Sequence, residues 1–294
     1  MAVFTGAGVA IVTPMHANEE VDYEALHRLI DFQVENGTDA IVIVGTTGEA
    51  STLSHEEHIE VIRAAVDYTA HRIPVIAGTG SNSTETAIYL SQEAQKAGAD
   101  AVLLVSPYYN KATQNGLYQH FGRTANAIDI PVILYNIQGR TGVNIAPATI
   151  ARMFKDVENI VGVKEASGDI SQIAQIMHLT NGEIDLYSGN DDQVVPILSL
   201  GGKGVISVLS NVAPRDTHDM VAKYLAGDTA GSLALQMKYM DLIHALFCEV
   251  NPIPVKKATY LMGYGDDAVR SPLTVMEPEH AAVLEAEMRR LGIL

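Results

Sequence analysis

A chain of 294 residues with 47% apolar and 18% charged side chains has ample material for a buried core, which excludes disordered, collagen-like and low-complexity classes. Its 35 acidic residues outnumber 19 Lys and Arg, and the resulting charge of -16 repels phosphate backbones, which argues against a nucleic-acid partner. No apolar run approaches the ~20 residues that span a bilayer, the first residues lack the basic segment of a secretory signal, and the single Cys248 allows no intrachain disulfide and fits a reducing, cytoplasmic compartment.

Eight short β-branched runs mark strands, and helical patterns fill most of the gaps. The first run, Gly8–Val12, is followed by a helix over Asp22–Asn36. There Tyr23, Leu26, Leu29, Ile30 and Val34 share one face, and Gly37 supplies the stop. The second run, Ala40–Val44, precedes Ser54-His55-Glu56-Glu57, a capping box opening a helix striped by Ile59, Ile62 and Val66. Pro74–Ala77 is third; Asn82 with Glu85 reads as the next helix start and Gly98 as its end. Ala101–Val105, Pro131–Leu134, Ile160–Val163, Asp185–Tyr187 and Gly204–Leu209 complete the set.

Continuous Val/Ile/Leu runs suit strands buried on both faces of a parallel sheet. Strand–helix alternation predicts right-handed crossovers, and eight such units predict an α/β fold closed as a (β/α)8 TIM barrel over residues 1–226. An open doubly wound sheet is the competing architecture. No Gly-rich phosphate loop follows the first strand, however, and Gly78-Thr79-Gly80 lacks a third glycine at Ser83. Residues 227–294 show helical lengths at Ala230–Glu249 and Glu277–Leu291 and no clear strand, so they are expected to form a helical extension beside the barrel.

Active sites of such barrels lie at the carboxyl ends of the strands. Lys164 stands there, at the exit of Ile160-Val161-Gly162-Val163. A lysine pointing into a tight barrel loses hydration, its pKa falls, and the neutral amine can attack a carbonyl to form an imine. The bland alternative is a lysine snorkelling at a strand end or paired with Glu165. Lys111 is a rival on the same rim, but its polar loop leaves it hydrated; Lys203 precedes the eighth strand and belongs to the opposite face. Imine chemistry needs a proton shuttle, and Tyr135 and Tyr109 both fall on the rim, where a phenol can pass a proton through Thr46 or Thr47. The turn Gly45–Gly48 offers backbone N–H groups and two hydroxyls to a small carboxylate, and Arg140 can fork a second one. Each also reads more plainly, as rim packing, a tight turn or a surface arginine. A catalytic metal fits poorly: His55 and His58 stand three apart without an H-E-x-x-H motif or a cysteine cluster. A serine hydrolase would need a G-x-S-x-G elbow that is missing.

Over essentially its whole length the chain resembles the pyruvate-dependent class I aldolase family that contains dihydrodipicolinate synthase and N-acetylneuraminate lyase. Gly45-Thr46-Thr47-Gly48-Glu49, Pro107-Tyr108-Tyr109-Asn110-Lys111, Gly139-Arg140-Thr141, Gly162–Gly168 and Asn251-Pro252-Ile253-Pro254-Val255-Lys256 carry the resemblance and look like the synthase branch. The resemblance implies a lyase that condenses pyruvate with L-aspartate 4-semialdehyde on the way to diaminopimelate and lysine. It implies no organic cofactor and a homotetramer built as a dimer of dimers. By position it implies Lys164 as the Schiff-base residue and Tyr135 as general acid/base, with Thr46 and a neighbouring subunit's Tyr109 in the proton relay. It implies Thr47 on the pyruvate carboxylate, Arg140 on the semialdehyde carboxylate, and Gly189 and Ile206 lining the pyruvate site. His55, His58, Asn82 and Tyr108 match positions that bind inhibitory L-lysine in sensitive members.

Two departures stand out. The family usually has proline where this chain has Gln138, which loosens the turn leading to Arg140. A glutamate of the lysine site is replaced by Thr86, beside Glu85. A pyruvate aldolase acting on a keto-sugar acid, favoured if Gln138 reshapes the pocket, and a non-catalytic sensor of keto acids are the readings set against the condensation.

Overall fold

The computed structural model describes residues 2–294. In chain order the elements are β1 (Gly6–Ala10), α1 (Tyr23–Glu35), β2 (Ala40–Ile43), α2 (His55–Thr69), β3 (Val75–Gly78), α3 (Thr84–Lys96), β4 (Ala101–Val105) and α4 (Gln114–Ala125). They continue with β5 (Val132–Asn136), the single turn α5 (Gln138–Thr141), α6 (Pro147–Asp156), β6 (Ile160–Glu165), α7 (Ile170–Leu179), β7 (Asp185–Ser188), α8 (Val194–Ser199) and β8 (Gly204–Ser207). Four helices close the chain: α9 (Pro214–Leu225), α10 (Thr229–Leu246), α11 (Ile253–Leu261) and α12 (Pro278–Arg290).

The eight strands are all parallel, and β8 pairs back onto β1 to close the barrel. Every strand is almost wholly buried, which is why the sequence writes them as continuous apolar runs rather than alternations. Alternation still operates within the barrel. Ala10, Ala40, Val42, Ile76, Leu103, Ile133, Tyr135, Tyr187 and Ile206 form one cluster inside the ring, while Val9, Ile41, Val132, Leu134 and Val163 join the larger core between strands and helices. The floor of the barrel is filled from below. The Phe4 ring stacks on Tyr187 at 4.4 Å, and the Tyr187 hydroxyl donates to the Phe4 carbonyl at 2.7 Å. Gly8 has no side chain because Phe4 is there: a Cβ at that position would come within 2.9 Å of its ring.

Local rules account for the helix starts. Asp22 caps α1 by accepting from Ala25 N at 2.8 Å, and Ser54 and Glu57 form a reciprocal box at the head of α2. The expected start at Asn82 is displaced by one residue: Ser83 is the cap of α3, its hydroxyl accepting from Thr86 N. The first strand lies two residues earlier than its apolar run suggests. Ile11 N still donates to the Val42 carbonyl of β2 at 3.2 Å, but Val12 N turns away to Asn211 Oδ1. The last run is likewise cut short at Ser207, where the chain turns into a single 3-10 turn over Leu209–Asn211. Helix α10 ends at Leu246 rather than at Glu249. Among the described residues no helix is long and apolar enough to cross a membrane.

Candidate active site

Strand register assembles the centre. Tyr135 of β5 lies beside Lys164 of β6, and Lys164 lies beside Tyr187 of β7. Because side chains alternate along a strand, all three point into the barrel, and their neighbours Asn136 and Glu165 point out. Lys164 therefore cannot pair with Glu165, the plainer alternative for it. The Glu165 carboxylate is fully buried on the outer face and accepts from Asn136 Nδ2, Ser167 N and Gln172 Nε2 at 2.9–3.2 Å. Asn136 also donates to Asn144 Oδ1 at 2.7 Å, and Asn144 donates to Gln172 Oε1 at 2.7 Å. This network joins β5 and β6 behind the pair that faces the site.

Inside, the Lys164 amine sits 4.3 Å from the centroid of the Tyr135 ring, and only 6% of the residue is exposed. Burial disfavours the ammonium and lowers its pKa to about 8; the Asp191 carboxylate opposes that shift, and Arg140 adds to it. Asp191 is itself buried. Its Oδ2 accepts from Val208 N and Leu209 N at 3.0 Å, and its Oδ1 has no partner among the described residues. Burial also pushes the Tyr135 phenol up to about 12, against the pull of Arg140 and of a hydrogen bond with Thr46. Gly189 leaves room for the lysine stem, since a Cβ there would lie 3.1 Å from Lys164 Cε and 2.6 Å from Ala166 Cβ. Ile206 packs beside Tyr135 and Tyr187 in the same inner cluster.

The hydroxyl and guanidinium side of the site is held by the helical extension. Asn251 Nδ2 donates to Thr47 Oγ1 at 3.0 Å, and the Asn251 carbonyl accepts from Arg140 Nη2 at 3.0 Å. One turn further on, Lys256 and Glu49 form an ion pair at 2.6 Å with both side chains 1% exposed. Glu49 adopts a left-handed φ of 57° and accepts from Arg270 N through its other oxygen.

Thr46, Tyr135 and Arg140 line a cavity of about 360 Å³ that runs outward past His55, His58 and Tyr108. His58 is buried, its pKa lowered by burial, and its Nε2–H donates to the Gly78 carbonyl at 2.8 Å. Thr86 also lines this outer part. Asn82 does not line the cavity; its carbonyl accepts from Asn110 Nδ2 at 2.9 Å. Tyr109 turns outward, 90% exposed, with φ of 72°. Lys111, the rival amine, is exposed. Among the described residues no group of three or more His, Cys, Asp or Glu is placed to hold a metal ion.

Asn251, Asp191 and the Glu49–Lys256 pair were not given roles by the sequence alone. Asp191 stood in the exit of the seventh strand, so the strand-end rule could have found it. Asn251 lies 204 residues from Thr47, and no local pattern joins the two.

A parallel barrel whose carboxyl-terminal mouth holds a dry amine against a phenol is the architecture of a class I aldolase. The chain belongs to the dihydrodipicolinate synthetase family, whose model matches residues 3–291. It is similar to the 4-hydroxy-tetrahydrodipicolinate synthase of Lachnoclostridium phytofermentans, 64% identical over 294 residues covering the whole of both chains. Among solved structures, it is similar to the chloride-inhibited dihydrodipicolinate synthase of Acinetobacter baumannii complexed with pyruvate, 45% identical with a TM-score of 0.96 over 99% of each chain. A dihydrodipicolinate synthase of Cyanidioschyzon merolae with lysine bound is 41% identical, with a TM-score of 0.97 over 100% of each chain.

Proposed function

We infer that this chain carries out the 4-hydroxy-tetrahydrodipicolinate synthase reaction, joining pyruvate to L-aspartate 4-semialdehyde through an imine on Lys164. The observation that carries the reading is the Lys164 amine, desolvated and set over Tyr135 at 4.3 Å. Its neutral form attacks the pyruvate carbonyl, and loss of water gives the imine. Once protonated, that imine is an electron sink that makes the pyruvate methyl acidic. Loss of a methyl proton yields an enamine, whose carbon attacks the aldehyde. Attack of the semialdehyde's own amine on the imine carbon then closes the ring and releases Lys164.

Tyr135 donates and accepts the protons of these steps, and Thr46 relays them, supported by their lining the same cavity. Tyr109 completes the relay in a neighbouring subunit. Its outward orientation in a single chain supports that role, and a homotetramer is the assembly in which it operates. Thr47 holds the pyruvate carboxylate, and Arg140 holds that of the semialdehyde; Gly189 and Ile206 shape the pocket around the keto acid. L-Lysine acts at the outer part of the cavity, where His55, His58 and Tyr108 converge, with Asn82 contributing through the loop it shares with Asn110.

Borohydride reduction in the presence of pyruvate is the direct test. Mass spectrometry is expected to find the adduct on Lys164; an adduct on Lys111, or none, would overturn the mechanism. Turnover with aspartate semialdehyde in preference to sugar aldehydes is expected in the same preparation, and the reverse preference would assign a keto-sugar acid aldolase.

A further inference from the structure

We propose that Asn251 is a positioning residue that aims the Thr47 hydroxyl at the pyruvate carboxylate; the proposal rests on the assignment of Thr47 above. Thr47 Oγ1 accepts from Asn251 Nδ2 at 3.0 Å, in a contact buried on both sides. A hydroxyl has one hydrogen to give. With its oxygen engaged as acceptor by the amide, Thr47 keeps that hydrogen free, and it donates to no group among the described residues. That hydrogen is left for the carboxylate that the assignment of Thr47 places beside it. If the amide were reversed, Thr47 would donate to Asn251 Oδ1 and present lone pairs to a carboxylate, which repels it.

One feature favours the amide the productive way round. Asn251 Oδ1 is buried with no partner among the described residues. In the reversed orientation the orphan at that place would be an NH2 group, and buried donors without partners are rarer than buried acceptors without them. The distance is set independently of this contact. Lys256, on α11, is locked to Glu49 by the buried ion pair at 2.6 Å, and Glu49 lies two residues from Thr47. The 251–256 segment and the 47–49 turn are thereby held together whether or not the amide bonds to the hydroxyl. Asn251 also receives Arg140 through its main-chain carbonyl, a contact that no side-chain substitution removes. The side chain therefore serves the keto acid, and the backbone serves the second substrate.

The test is the pyruvate concentration giving half-maximal borohydride-trapped adduct on Lys164, measured in wild type, Asn251→Ala, Asn251→Asp, Thr47→Val and the two double variants. Loss of a charge-assisted hydrogen bond is expected to raise it on the order of tenfold in Asn251→Ala, and further in Asn251→Asp, which would draw the Thr47 hydrogen to itself. Half-saturation for the aldehyde is expected to change little. In the Thr47→Val background Asn251→Ala is expected to add nothing. Unchanged half-saturation in both Asn251 single variants, or an equal rise in the Thr47→Val background, would overturn the proposal. A wild-type crystal with pyruvate bound gives a reading that needs no variant. Thr47 Oγ1 should lie within hydrogen-bond distance of both Asn251 Nδ2 and the carboxylate, and contact with only one of them defeats the idea. Absence of any adduct in wild type would sink the function reading itself, and this proposal with it.

Discussion

At the scale of single residues, the centre depends on an amine whose proton burial makes easier to lose. Lys164 has a pKa of about 8, so near neutrality most of it is protonated. The second-order rate of adduct formation with pyruvate is expected to rise about tenfold per pH unit below this value and to level off above it. The buried Asp191 carboxylate pulls the lysine pKa up, so Asp191→Asn is expected to move the break to lower pH; a break that stays in place, measured by the pH profile of trapping, would remove Asp191 from the site's electrostatics. The same burial costs stability. The folded pKa lies below the ordinary lysine value of 10.5, so the unfolded chain binds more protons between about 8 and 10.5, and stability rises with pH across that window. Lys164→Met keeps the shape without the charge. It is expected to be more stable by up to about 3 kcal/mol near pH 7, with the gap closing above pH 8. Denaturant midpoints at several pH values would check this.

At the scale of elements, register rather than any single contact brings the chemistry together. Tyr135 and Lys164 are neighbours because β5 and β6 pair at that rung, and the Asn136–Glu165–Gln172 network fixes the rung from outside the barrel. Glu165→Ala would leave two side-chain amides and the Ser167 N–H without their buried acceptor, at an expected cost of about 3 kcal/mol or more. Glu165→Gln, which keeps an acceptor oxygen, should cost less, and chemical denaturation would rank them. Strands were legible in the sequence because burial on both faces writes unbroken apolar runs. Their ends were less so. Ile11 and Val12 stay buried past the end of the first strand, so the apolar run overshoots it, and Asn82 and Ser83 are both good caps, so only the helix's own phase chooses between them. Lys164 and Tyr135 could be read because the strand-end rule is local. Asn251 could not, because its partner comes from the opposite end of the chain.

At the scale of the whole molecule, the barrel and the last helices share one interior. Tyr239, Leu242, Leu246, Val255, Ala258, Leu284 and Met288 belong to the same apolar cluster as Leu26, Phe121 and Ile150 of the barrel helices. We propose that residues 227–294 are an extension of residues 1–226 and do not fold by themselves. Calorimetry on the full chain is expected to show a single cooperative transition. Two resolved transitions would establish an independent unit.

The stacked rings of Phe4 and Tyr187 plug the barrel from below, and the Lys164 amine stands above that plug at the carboxyl-terminal mouth. Everything that reacts enters and leaves through one doorway. Order of addition then follows from shape: the keto acid must be attached before the aldehyde arrives above it. An aldehyde that comes first stands in the passage, so excess aldehyde should slow the enzyme, and added keto acid should relieve the blockage.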